Sequence, residues 1–311
     1  MAAMLRATIL GSAAGGGFPQ WNCGCSSCVS VREGRPGYEA RTQDSVALTA
    51  DGERYVLLNA SPDVLVQIQR TRSLWPRADR HSPIAAVLLT NGDLDHVLGL
   101  FSLRESQPLE VYATDAVWAG LEANAFLRTL RRFEGQLVRR TLRLGEDVKV
   151  AGLRARPFPL PGKLPVHLVS HAAPSAEDNV GVAVTPERGG GPSLGYATTC
   201  GSLEDTRALE GHDALLFDGT FYREDELVRL GLSKALAKDM AHVPIAGPTG
   251  SLTRLGGISR EARGAREGGG KRRIYTHVNN TNPILALGSD EHGEVLSAGW
   301  EVATDGMEVF A

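Results

Sequence analysis

With 311 residues, 42% of them hydrophobic and 22% charged, the chain can hold one large α/β domain or two modest ones around a sizeable core. A formal net charge of −3 leaves no basic footprint and weighs against nucleic acid as the main partner. Apolar runs such as residues 85–89 are strand-sized, and none reaches the ~18 residues of a membrane span, so no membrane partner is expected.

The chain opens on an apolar run over residues 4–10 that passes into Gly15-Gly16-Gly17. The run is too short for the hydrophobic region of a signal peptide and reads as a first strand entering a glycine-rich loop. Cys23, Cys25 and Cys28 follow. Closely packed thiols do not resemble a secreted disulfide framework; in a reducing cytosol they hold metal, so a cytoplasmic location is expected. A tetrahedral zinc takes four ligands, so one must come from elsewhere in the chain.

Further β-like runs occur at Ser45–Thr49 and residues 54–59, then at residues 85–89 and Leu109–Ala113. Helical patterns cover residues 63–70 and 115–133. Strands are expected again at residues 180–185, 214–217 and 273–276. Two glycine-rich stretches, 186–193 and 263–273, read as flexible insertions in a single domain over residues 1–311, because β-patterned sequence resumes after each. Strand-rich halves with interspersed helices suggest two sheets between helical layers.

Three strand ends carry the chemistry. Leu88-Leu89 runs into Thr90-Asn91-Gly92-Asp93-Leu94-Asp95-His96. Asp beside His suits a hard or borderline divalent ion, although the same residues also suit a helix-capping turn. Tyr275-Thr276-His277 enters the polar turn Val278-Asn279-Asn280, and Leu215-Leu216-Phe217 ends on Asp218. A lone strand-end His is more often a hydrogen-bonding residue than a ligand; the three ends together would gather carboxylates and imidazoles at one edge. Cys200 reads as a packed core thiol.

Over nearly its full length the chain resembles the PqqB family of pyrroloquinoline quinone (PQQ) biosynthesis proteins, in the metallo-β-lactamase superfamily. The resemblance lies in residues 10–23, Leu94-Asp95-His96, residues 99–105, Asp218-Gly219-Thr220, the region of His242, residues 277–285, 299–302 and Asp305-Gly306-Met307. It implies an α/β fold, the metallo-β-lactamase-like αββα sandwich.

Hydrolases of that superfamily carry His-x-His-x-Asp-His where this chain has Asn91, Asp93, Asp95 and His96. Residues 160–165 offer no His for the first metal; His167 and His171 lie just beyond, and Thr198-Thr199-Cys200 replaces a bridging Asp. The resemblance thus implies a dismantled first metal site and a retained second one, with Asp95, His96 and His277 as ligands. Asp93 is expected as a further carboxylate for the same ion, Asn91 as a weak ligand at most, and Asp218 as a ligand or as the group that orients a His. Related phosphodiesterases point to Asn280 as fourth partner of the structural Zn(2+) held by Cys23, Cys25 and Cys28, with water or another side chain as the alternative.

Two imidazoles and a carboxylate match the ligand set of non-haem iron(II) oxygenases, whereas a dinuclear hydrolase needs two ions. For this family the resemblance implies a hydroxylase using Fe(2+) and O2 on the tyrosine ring of a PqqA-derived Glu-Tyr unit or its cross-linked product. Zinc, manganese and copper are other ions that such ligands accept. His242 is the expected substrate-facing acid or base, with Asp218 beside it. Arg104 and Glu105 either bind the ends of a zwitterionic substrate or form a plain surface ion pair. Other proteins of the PQQ pathway are further expected partners. The alternative is a soluble carrier of PQQ or a precursor on its way to the periplasm, needing an electropositive pocket and no catalytic metal. A hydrolase is a third reading, which the stripped first site weighs against.

Overall fold

Strands whose every residue is apolar need cover on both faces, and that requirement organises the molecule. A computed structural model describes residues 5–165, 167, 173–188, 191–256 and 271–310. In chain order come β1 (Arg6–Gly11), β2 (Ser45–Thr49), β3 (Tyr55–Leu58), β4 (Ile84–Leu88), β5 (Leu109–Ala113) and β6 (Leu137–Thr141). Then follow β7 (Val148–Val150), β8 (Leu153–Pro159), β9 (Val180–Pro186), β10 (Leu194–Ala197), β11 (Ala214–Asp218), β12 (Arg272–Thr276) and β13 (Glu301–Val302), and finally β14 (Glu308–Phe310). One seven-stranded sheet has the order β14-β1-β2-β3-β4-β5-β6; the other, also of seven strands, runs β13-β12-β11-β10-β9-β8-β7.

Residues of β2, β3 and β11 are buried at every position. Successive side chains of a strand point to opposite faces, and the packing follows that alternation. Val46, Leu48, Val56, Leu58 and Leu88 meet Val182, Val184, Tyr196, Leu216 and Ile274 in a core between the sheets. Ala47, Leu57, Val87 and Val111 face outward onto Val64, Val97 and Trp118. On the opposite side Leu215, Phe217 and Tyr275 pack on Ile284, Val295 and Trp300. Each sheet therefore carries a helical layer on its outer face, which makes the expected αββα sandwich.

Strands β3 to β6 run parallel, as do β10 to β13. Ligand sites of parallel sheets gather beyond the carboxyl ends of the strands. The loops after β4, β10, β11 and β12 carry His96, Cys200, Thr220 and His277.

Some expected boundaries move. The helix expected over residues 115–133 stops at Glu122; the Asn124 side chain then accepts from the Phe126 backbone N–H at 2.9 Å and starts a separate 3-10 segment, Ala125–Arg131. The stretch 186–193 joins antiparallel partners, with Pro186 still in β9; residues 189–190 lie outside the described residues. Most of 263–273 also lies outside them, but Arg272 and Arg273 belong to β12 and pair with Ala214 and Leu215, so the strand begins inside the expected insertion. Among the described residues no helix is long and apolar enough to cross a membrane.

Candidate metal sites

The loop after β4 is held before it reaches its ligands. Asn59 Oδ1 accepts from the Thr90 backbone N–H at 3.0 Å and from the Thr90 hydroxyl at 3.1 Å. One helical turn, Leu94–Val97, follows, with Asp93 at its N-cap and the His96 and Val97 N–H groups donating to the Asp93 carbonyl. The His96 carbonyl accepts from Ala60 N at 2.8 Å, and Gly99 N donates to the Ala60 carbonyl. A Cβ at Gly99 would lie 2.0 Å from the Ser61 carbonyl oxygen, so only glycine permits this approach. A Cβ at Gly15 would come within 3.2 Å of an Asp95 carboxylate oxygen, which places the glycine-rich loop against the same residue.

His277 leaves β12 with φ of 55°, a left-handed backbone that is costly for a residue with a side chain and recurs at functional sites. Its Nδ1 lies 2.9 Å from the Thr220 hydroxyl, which donates to Asp218 Oδ1 at 2.7 Å. A hydroxyl that spends its proton on a carboxylate accepts from Nδ1–H, and so leaves Nε2 as the outward-facing nitrogen. That Nε2 is 3.2 Å from Asp95 Oδ2, and His96 Nε2 is 3.9 Å from the same oxygen.

Ligand atoms of Asp95, His96 and His277 all lie within 4.8 Å of one another. His96 is 1% exposed, and among the described residues neither of its ring nitrogens has a hydrogen-bond partner. Buried polar nitrogens left unpaired are costly and rare; an ion bound by Asp95 and His277 would satisfy one of them, so these residues fit a metal. The charge balance agrees. Burial lowers His96. Burial alone would raise Asp95, but His96 and His277 hold it well below the usual carboxylate range. Burial alone would lower His277; its hydrogen bond to Asp95 and the fields of Asp95, Asp44 and Asp218 instead raise it to about 9. The site draws positive charge.

Asp218 and His242 form a second arrangement on the far side of His277. His242 Nδ1 is 2.7 Å from Asp218 Oδ2, and its ring stacks on His277 at 5.6 Å and 26°. Asp218 is fully buried and also accepts from Cys200 N at 2.8 Å and Thr220 N at 3.0 Å. Burial opposes its charge, yet His242 beside it keeps its acidity stronger than usual. Atoms of Asp218, His242 and His277 also lie within 4.8 Å of one another.

Asp93, expected as a further ligand, is not in either group. Its place at the N-cap ties its backbone to the turn, and burial raises the pKa of its carboxyl. Asn91 turns to Asn179, with 3.3 Å between their amides. His167 lines a separate apolar cavity of about 160 Å³ beside Leu94 and Phe101, and His171 lies outside the described residues. Cys200 is buried, and burial pushes its thiol up to about 12. Arg104 and Glu105 pair with each other at 3.6 Å with side chains 63% and 71% exposed.

Asp44 was missed. This buried carboxylate accepts from Thr276 Oγ1 at 2.6 Å and from the Tyr196 hydroxyl, which in turn accepts from Asn59 Nδ2 at 3.0 Å. The signal for it was a carboxylate directly ahead of the strand-like run Ser45–Thr49, which is buried at every position.

The thiols of Cys23, Cys25 and Cys28 form the third group, all within 4.8 Å. Arg32 binds the carbonyls of Gln20 and Cys23 at 2.5 Å each and folds the loop back on its helix, Ser26–Arg32. Burial raises Cys28 to about 11; burial also opposes ionisation of Cys23, but hydrogen bonds from Cys25 outweigh it and lower that thiol. Asn280 brings Nδ2 to 3.4 Å from Cys28 Sγ and 3.9 Å from Cys25 Sγ. Half a turn of the amide exchanges Nδ2 for Oδ1 without moving the backbone.

A family model described as a β-lactamase superfamily domain matches residues 54–277. A coenzyme PQQ synthesis protein B of Methylorubrum extorquens is 42% identical over 308 residues, covering 97% of this chain and 99% of that protein. The protein of that name from Ruegeria pomeroyi is 39% identical over 311 residues, covering 98% and 99%. The crystal structure of Zn(2+)-bound PqqB from Methylobacterium extorquens, 42% identical, matches with a TM-score of 0.88 over 98% of this chain and 99% of that one. A diphosphatase of the PhnP family, 21% identical with a TM-score of 0.63 over 100% of this chain and 98% of its own, shares the fold.

Proposed function

The chain belongs to the coenzyme PQQ synthesis protein B family, and from that premise we propose that it is a cytoplasmic metalloenzyme of PQQ biosynthesis that hydroxylates the tyrosine ring of a PqqA-derived Glu-Tyr precursor. The observation that carries this reading is His96, buried beside Asp95 and His277 with two ring nitrogens that find no partner among the described residues. Two imidazoles and one carboxylate leave positions open on one side of an ion, the donor pattern of mononuclear iron(II) sites. Fe(2+) bound there would supply the one-electron chemistry that lets O2 attack an aromatic ring.

The protein's own residues then have separable tasks. Thr220 fixes the His277 tautomer so that Nε2 faces Asp95. Asp218 accepts from His242 Nδ1–H, which leaves His242 Nε2 as a base for the phenolic proton of the substrate. Asp44 supports both strand ends from beneath. Zn(2+) held by Cys23, Cys25 and Cys28, with Asn280 as the fourth ligand, would clamp the glycine-rich loop that rests on Asp95.

The test is anaerobic reconstitution with Fe(2+), then exposure to O2, a Glu-Tyr dipeptide and a two-electron reductant such as ascorbate, which takes the second oxygen atom to water, with product mass measured. Gain of one oxygen that requires iron, O2 and His277 supports the hydroxylase. No oxidation, together with tight binding of PQQ, overturns it in favour of the carrier.

A further inference from the structure

His242 has a second neighbourhood. Its exposed edge borders an open cavity of about 470 Å³, within the size range of small-molecule sites. Glu204 and Glu224, from the loops after β10 and β11, line the same cavity, as do Lys238 and Arg254 from two short helical turns. Two cations and two carboxylates thus surround one space, and among the described residues none of the four forms an ion pair. Elsewhere on the surface opposite charges find each other readily, as in Arg140–Glu110 at 2.7 Å and Arg156–Asp147 at 2.6 Å. The nearest ties here are to backbone: Arg254 Nη2 donates to the Leu203 carbonyl at 2.9 Å, and Glu224 Oε1 accepts from Lys238 N at 3.4 Å. Toward the described residues Arg254 keeps other N–H groups, and Lys238 its whole ammonium, for a guest.

We propose that this cavity is the substrate-recognition site, built for an amino-acid or short-peptide zwitterion with an additional carboxylate. Lys238 and Arg254 take the carboxylates, and Glu224 with Glu204 takes the ammonium group. The assignment rests on the hydroxylase reading for what happens at the metal, but not for binding. It also selects among ligands. A tricarboxylate without an ammonium would satisfy both cations and then face two carboxylates in the wall, a like-charge contact that disfavours it. Arg104 and Glu105, already paired with each other on the surface, are relieved of that role.

Binding is tested without turnover, by calorimetry under anaerobic conditions on the full chain. The probes are a Glu-Tyr dipeptide, its fully amidated form, its N-acetyl form, and PQQ. The unmodified dipeptide is expected to bind at least ~10-fold more tightly than either blocked form, the scale of one lost charge-assisted contact. Lys238→Met and Arg254→Met should each erase most of the preference over the amide, and Glu224→Gln the preference over the acetylated form. Thermal melting and zinc content verify that each variant is folded; among the described residues Lys238 makes no side-chain bond, so it supplies the safest arm. Equal affinity for all three peptides, preferences unchanged by the substitutions, or PQQ displacing the dipeptide with higher affinity would each overturn the proposal. Selective binding without oxygen incorporation would refute the hydroxylase reading and uphold this site.

Discussion

Thr276 donates its hydroxyl to Asp44 at 2.6 Å, joining residues 232 positions apart across the interface of the two sheets. Asp44 also takes the Tyr196 hydroxyl, Tyr196 takes Asn59 Nδ2, and Asn59 Oδ1 takes Thr90. The strand ahead of His277 and the loop ahead of Asp95 therefore hang from one buried network. Removing the carboxylate in Asp44→Ala strands two hydroxyls, at ~1–3 kcal/mol for each. Urea unfolding should show a loss of about 2–6 kcal/mol, with weaker metal binding at His277 and an unchanged thiol site. Wild-type stability and metal affinity in this variant would refute the linkage.

Glu226 supplies a pH signature away from the metal. It is buried, with Oε1 accepting from Thr281 Oγ1 at 2.5 Å and Oε2 from Tyr222 N at 2.8 Å. Burial raises it from the ordinary 4.5 to about 7. The folded state thus holds this proton more tightly than the unfolded chain does. Its stabilising contribution is complete below about pH 4.5 and is lost as pH rises through about 7. Between pH 5 and pH 8 the wild type should lose roughly 2–3 kcal/mol that Glu226→Gln retains. Parallel pH–stability curves for the two proteins would count against it.

The thiol group should behave as a structural ion site. Cys25→Ser or Cys28→Ser is expected to lower zinc content by one ion per chain and to reduce Tm by at least ~5 °C, since such binding is coupled to folding. Strong chelation should have the same effect on the wild type. Cys200→Ser should leave zinc content alone, because that thiol points to the Ser202 carbonyl at 3.2 Å. Unchanged zinc in the first two variants would remove the site.

Asp218→Asn separates orientation from binding. The amide gives Cys200 N, Thr220 N and His242 one acceptor oxygen in place of two, and it no longer fixes which imidazole nitrogen carries the proton. Turnover should fall ~10- to 100-fold, with KM nearly constant. A change confined to KM would assign Asp218 to substrate contact instead.

Strands covered on both faces were the most legible part of the fold. Ser45–Thr49 and Leu109–Ala113 match at both ends, since each is an apolar run with polar punctuation. β8 stayed hidden because Arg154 and Arg156 point outward and Pro157 and Pro159 interrupt the pattern. At the site, Asp95 and His96 could be found because they sit together just beyond a strand. Thr220 and Asp44 could not, because their roles exist only where distant segments meet. Asp93 is the opposite case: its spacing fits a ligand, but its carboxylate lies outside the group formed by Asp95, His96 and His277.

Cys28 and Asn280 stand 252 residues apart in sequence and within 3.4 Å in space. During synthesis the three thiols leave the ribosome long before the asparagine is made. An ion captured that early would be held by sulfur alone. Closure by Asn280 would wait until the late segment docks, the segment that also brings His277 to Asp95. If the thiols hold zinc as proposed, a product broken off before residue 280 would keep an unfinished clasp, and the site would report whether the chain had been made past His277.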